Sequence, residues 1–187
     1  MAFKTIIIAL LVSFLTGCVA AVVAGAAGGL AVYDRRTVTM LEKDTRIFHV
    51  VHTDIVTDRR FRNTRIVVSS FNEVVLLVGQ APVASLREVA EKIAKNTRYV
   101  QRVYNQITVG HPISLVQQSK DTLITGQVRS KMLTQKGLAS GSIRIITENA
   151  TVYLMGIVTP AQANLAANVA RHVEGVKKVV KVFQYVH

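Results

Sequence analysis

Two stretches of this chain hold residue types that can do chemistry. The first is Leu15-Thr16-Gly17-Cys18, which ends in the chain's only thiol. It follows Lys4 and an apolar run from Ile6 to Phe14. A positive start, about ten apolar residues and then small ones is the order of a secretory signal peptide. The second stretch is Leu123 to Lys136. At ~100° per residue, Leu123, Gly126, Arg129, Ser130, Leu133 and Lys136 share one helical face. Leucines that enter an acyl boundary and cations that pair with phosphate make a membrane-surface helix. Each basic residue near an anionic surface contributes about 1 kcal/mol. A competing reading packs Leu123 and Leu133 against the first half of the chain or a partner protein. The other reactive types point elsewhere. His49 and His52 are three apart on a helix, but zinc sites want three or four ligands and no third is near. Glu73 and Glu148 fall in hairpin links, at what read as equivalent positions, and suggest turn chemistry. There is no Ser/His/Asp set, nucleophilic thiol or Gly-rich phosphate loop. The expectation is a binding protein, not an enzyme, without metal or cofactor.

The charge balance supports an anionic partner. Lys and Arg number 23 against 11 Asp and Glu, a net charge of +12 over 187 residues. Such a chain favours nucleic acid or acidic lipid. An export signal argues against nucleic acid and leaves acidic head groups. With one cysteine, an exported fold has no internal disulfide and holds by packing. The apolar run is too short to span ~30 Å of hydrocarbon, and no other run is long enough.

The elements that position these residues come twice. Asp44-Thr45-Arg46-Ile47 recurs as Asp121-Thr122-Leu123-Ile124, and Val75-Leu76-Leu77-Val78-Gly79 recurs as Val152-Tyr153-Leu154-Met155-Gly156, both at an offset of 77. Ile66-Val67-Val68 matches Ile143-Arg144-Ile145, and Val100-Gln101-Arg102-Val103 matches Val176-Lys177-Lys178-Val179 at an offset of 76. In each repeat an apolar stripe with helical spacing comes first: Ile47, Val51, Ile55, then Ile124, Val128, Met132. Gly137 is placed to end the second of these helices. Two β-rich runs follow, Arg65 to Ser70 with Val74 to Gly79, and Ser142 to Thr147 with Thr151 to Val158. Their short polar links mark hairpins. Thr159-Pro160-Ala161-Gln162 is a strong helix start, and Ala81-Pro82 a weaker one. Alanines at 90, 94, 163, 166, 167 and 170 let that helix approach a sheet. A last β run, Val100 to Val109 or Val176 to Val186, closes each repeat. The fold class is α+β, αββαβ twice, each repeat a three-stranded mixed sheet packed against two helices. Repeats of ~65 residues are small for independent cores, so the two should pack together. The first repeat's helix face carries Arg46, His49, His52, Thr53, Val56 and Arg59 and is almost wholly polar. That asymmetry puts the lipid site on the second repeat.

Leu-Thr-Gly-Cys resembles the bacterial lipobox, in which the cysteine is acylated and becomes the first mature residue. The αββαβ repeat, the strand glycines Gly79 and Gly156 and the Val-x-x-Val close resemble the BON domain. Two such domains behind a lipobox resemble the dual BON-domain outer-membrane lipoproteins of Gram-negative bacteria. The resemblance implies lipidation at Cys18 and attachment to the periplasmic face of the outer membrane. Val19, where an Asp would retain the protein at the inner membrane, agrees with that. It also implies anionic phospholipid, phosphatidylglycerol-like, bound through the first helix of the second domain in support of outer-membrane integrity. The family's best-studied member has Trp at the position of Leu123; Leu keeps the apolar contact and loses the amphipathic ring. Other expectations from the resemblance are an adaptor for envelope or division proteins and a membrane-perturbing, haemolysin-like factor. The domain reading is a signal peptide at 1–17, a lipidated N-terminus and flexible tether at 18–40, BON domains at 41–110 and 119–187, and a linker at 111–118.

Overall fold

The computed structural model describes residues 37–186. The signal peptide, Cys18 and the tether up to residue 36 lie outside the described residues.

Each repeat begins with a long capped helix. Thr37 accepts a hydrogen bond from the Met40 N–H and opens α1, Val38–Thr57; Ser114 accepts from the Gln117 N–H and opens α3, Leu115–Thr134. Such caps satisfy donors that the first helical turn leaves orphaned. The expected stripes face inward: Ile47, Val51 and Ile55 are buried, as are Ile124, Val128 and Met132. Hairpins β1–β2 (Arg65–Phe71, Val74–Ala81) and β4–β5 (Ile143–Glu148, Thr151–Val158) follow. Helices α2 (Ala84–Asn96) and α4 (Pro160–Arg171) then carry the chain back to β3 (Arg102–Val109) and β6 (Lys178–Tyr185). These last strands run parallel to β2 and β5, which requires a crossover element, here the helix. The sheet orders are β1-β2-β3 and β4-β5-β6. Thr159 caps α4 with Pro160 in its first turn; α2 starts behind Val83 without a side-chain cap.

The central strands have two dry faces. Val75 and Leu77 pack into the helices of the first repeat, and Val152 and Leu154 into those of the second. The opposite faces meet: Phe71, Val74, Leu76, Val78, Tyr153, Met155 and Val182 form one cluster between the two sheets. This explains why β2 reads as an unbroken hydrophobic run. Polar contacts pin the rim. Arg65 Nε and Gln80 Nε2 each donate to Glu148 Oε1 at 3.1 Å, Asn72 Nδ2 donates to Gln184 Oε1 at 2.6 Å, and Arg144 Nη1 donates to the Ser70 carbonyl at 2.9 Å. Burial, and secondarily the nearby Glu148, push the Tyr153 phenol above its ordinary pKa.

The recurring aspartates have a structural task. Asp44 accepts from Ser70 Oγ (2.9 Å) and from the Asn72 and Glu73 N–H groups (2.7 and 2.9 Å). Asp121 accepts from the Asn149 and Ala150 N–H groups (2.6 and 2.9 Å) and from Gln117 Nε2 (2.8 Å). Each thus ties its helix to a tight hairpin turn. The turn residues Asn72, Glu73, Asn149 and Ala150 all have positive φ, as a two-residue turn with right-handed strand twist demands.

Three expectations change. Glu73 and Glu148 are not equivalent: at the offset of 77, Glu73 matches Ala150, whereas Glu148 matches Phe71, ends β4 and is buried against Arg65 and Gln80. The expected linker at 111–118 is half helix, since α3 already runs from Leu115. That helix ends at Thr134 with Gln135 as its cap, and left-handed Gly137 lies two residues further on.

Candidate functional site

Helix α3 has a buried side and an open side. Asp121, Ile124, Val128 and Met132 are buried. On the open side Leu123 is 67% exposed and Leu133 44%. Arg129, Ser130 and Gly126 are exposed beside them, and a Cβ at Gly126 would meet nothing within 4 Å. These five share the open side of α3. Lys136 does not belong with them: it follows the end of α3, so extrapolating the helical angle to it fails. Two members were missed. Leu115 and Val116 are 78% and 66% exposed and extend the apolar edge at the start of the helix. They fall in the stretch expected to be linker, although Ser114 with Gln117 three residues on is a capping signal.

A groove of about 490 Å³ runs alongside, lined by Lys120, Leu123, Gln127, Glu174 and Lys177, with Gly175 and Ala150 on its floor. It brings two ammonium groups and two side-chain amides, Gln117 and Gln127, next to the exposed Leu123. Lys177 comes from the turn before β6, and its N–H donates to the Ala150 carbonyl at 2.9 Å.

The first repeat fills the corresponding place. Tyr99 stands where the second repeat has Gly175, and Glu73 where it has Ala150. Lys43, the counterpart of Lys120, donates to Glu73 Oε1 at 2.6 Å and sits 5.4 Å from the Tyr99 ring centroid. Its hydrogen bond to Glu73 holds the Lys43 ammonium above the usual lysine range. Gln101, the counterpart of Lys177, also donates to Glu73. Arg98 covers Tyr99 at 4.6 Å. The same backbone thus makes a filled corner in one repeat, where Glu73 engages Lys43 and Gln101, and an open groove in the other, where two ammonium groups stand beside a single carboxylate, Glu174. His49 and His52 lie against Phe48, at 5.5 and 5.3 Å between ring centroids.

Residues 43–111 and 120–186 each match the BON domain. The chain belongs to the BON-domain family. It is 41% identical over 175 residues to the outer membrane lipoprotein DolP of Haemophilus influenzae, spanning 92% of this chain and 90% of that protein. It is 44% identical over 122 residues to the 21 kDa hemolysin of Actinobacillus pleuropneumoniae, spanning 65% and 63% of the two chains. A more distant likeness, 29% identity over 139 residues, links it to the osmotically-inducible protein Y of Escherichia coli, over 73% of this chain and 69% of that one. The two BON domains therefore differ at this corner: the second leaves open what the first closes. Among the described residues, no helix is long and apolar enough to cross a membrane.

Proposed function

We propose that this is a lipid-anchored outer-membrane lipoprotein that supports envelope integrity by binding anionic phospholipid through α3 of its second BON domain. The carrying observation is the exposed Leu115, Val116, Leu123 and Leu133 on the helix that borders the open basic groove. Leucine side chains enter the acyl boundary, Arg129 meets phosphate at the surface, and Lys120 and Lys177 neutralise a head group in the groove. Cys18 supplies the anchor, in keeping with similarity to an outer membrane lipoprotein over 92% of the chain. An anchored chain does not need α3 for attachment; α3 selects where on the membrane it sits.

Vesicle sedimentation of a form beginning after Cys18 tests this. Phosphatidylglycerol vesicles should pellet the protein and phosphatidylcholine vesicles should not, with salt weakening the binding. Leu123→Glu removes an apolar anchor and adds a like charge, so affinity should fall about 30-fold. Arg129→Glu should cost about tenfold. Binding of both variants at wild-type strength would remove α3 from the site. Failure to pellet with any vesicle would favour an adaptor for envelope or division proteins. Dye leakage at wild-type binding would favour the membrane-perturbing activity that the hemolysin relative's name suggests.

A further inference from the structure

A second groove opens on the other side of the Lys177 turn, between α4 and the edge strand β6. Its volume is about 350 Å³ and its lining includes Lys177, Lys178 and Lys181, with Asn164, Ala167 and Arg171 on the helix side. No carboxylate lines it. Lys181 Nζ donates to Asn164 Oδ1 at 3.3 Å, an amide that brings no charge.

The first repeat again supplies the comparison. At the offset of 76, Asn164 corresponds to Glu88, Ala167 to Glu91, Arg171 to Lys95, Lys178 to Arg102 and Lys181 to Asn105. There Glu91 pairs with Lys95 at 2.6 Å and accepts from Asn105 Nδ2 at 3.0 Å. Two carboxylates there offset most of the positive charge of Lys95, Arg102 and Arg87, whose guanidinium reaches the Asn105 carbonyl and acts on Glu91. The second repeat has lost both carboxylates and gained two lysines. Lysines on an edge strand guard against pairing with other strands. Edge protection accounts for Lys178 and Lys181. It does not account for the missing carboxylates across the groove, nor for Arg171.

We propose that this groove is a second anion site, adjoining the α3 groove at the shared Lys177, for a group bearing two or more phosphate charges. A single phosphodiester would leave three of the four cations unmatched. An arginine fork beside several ammonium groups suits clustered phosphate oxygens. The source is either the head group of a polyanionic lipid or a soluble polyphosphate.

The test uses the full chain in neutral detergent, with inorganic pyrophosphate as one probe and micelles doped with cardiolipin as the other. Titration calorimetry should show saturable, salt-sensitive binding. Asn164→Glu with Ala167→Glu, which installs the first repeat's carboxylates, should weaken it about tenfold or more. Lys181→Asn serves as a milder variant, and circular dichroism checks that both keep the fold. Leu123→Ser, which removes the α3 anchor without placing a charge near the shared Lys177, should leave pyrophosphate binding unchanged, which distinguishes this site from α3. Groove-dependent binding of pyrophosphate alone identifies a soluble ligand; groove-dependent gain from cardiolipin identifies a lipid. The proposal is overturned if neither probe responds to the carboxylate pair, or if Leu123→Ser abolishes pyrophosphate binding.

Discussion

A chain carrying Gly79→Ala is expected to lose the packing of its first domain. A Cβ built at Gly79 would lie 1.9 Å from the Arg65 carbonyl oxygen, and the residue sits at φ +129°, which side-chain-bearing residues rarely adopt. The clash is with backbone, across the β1–β2 ladder where Ile66 faces Gly79. No flexible side chain can move aside. Strain of this kind and overpacking each cost about 1–3 kcal/mol, so a loss of about 4 kcal/mol is reasonable. That is a large part of the total stability of a small protein. It corresponds to a fall of about 10 °C in Tm, read by circular dichroism. Gly156→Ala should act alike, since its Cβ would meet the Ser142 carbonyl oxygen at 2.3 Å. A Tm within about 2 °C of wild type for both would show that the strands part without cost.

Asp121→Ala should be nearly as damaging, and more instructive. The carboxylate is 4% exposed and accepts from two backbone N–H groups and one amide. Removing it strands the N–H of Ala150, itself buried. Hydrogen bonds to a charged group contribute about 1.5–3 kcal/mol each, and an unsatisfied buried donor adds its desolvation cost. A loss of about 3–5 kcal/mol follows, visible as a lower urea midpoint. Asp121→Asn keeps one acceptor oxygen and should fall between the two. Amide exchange should quicken first at Asn149 and Ala150. Because Asp121 ties α3 to its hairpin, the variant also loosens the helix that presents Leu123 and Arg129. An unchanged urea midpoint would mean that water or another donor set replaces the carboxylate.

The αββαβ repeat was legible because the chain states it twice. Spacing alone placed Ile47, Val51 and Ile55, and their counterparts, in the cores. Thr159-Pro160 marked its helix correctly. What local pattern could not show was juxtaposition. Lys177 reaches the α3 groove from a turn more than forty residues away in sequence. Glu148 looked like a turn residue until the strand register made it part of the interface between sheets. Lys136 was placed on α3 because periodicity says nothing of where a helix stops. The asymmetry between the repeats is nonetheless present in the sequence: Tyr99 against Gly175, and Glu73 against Ala150. Aligning the repeats residue by residue reveals it; aligning only their hydrophobic blocks does not.

The chain contains no tryptophan, so Leu123→Trp creates a single fluorescent reporter at the centre of the proposed face. Its emission should shift to the blue on adding phosphatidylglycerol vesicles, return with added salt, and stay unchanged with phosphatidylcholine, as an indole entering an anionic interface does. Emission that remains at the water-exposed wavelength while the protein pellets with phosphatidylglycerol would contradict the account, because the membrane would then be held by some other surface.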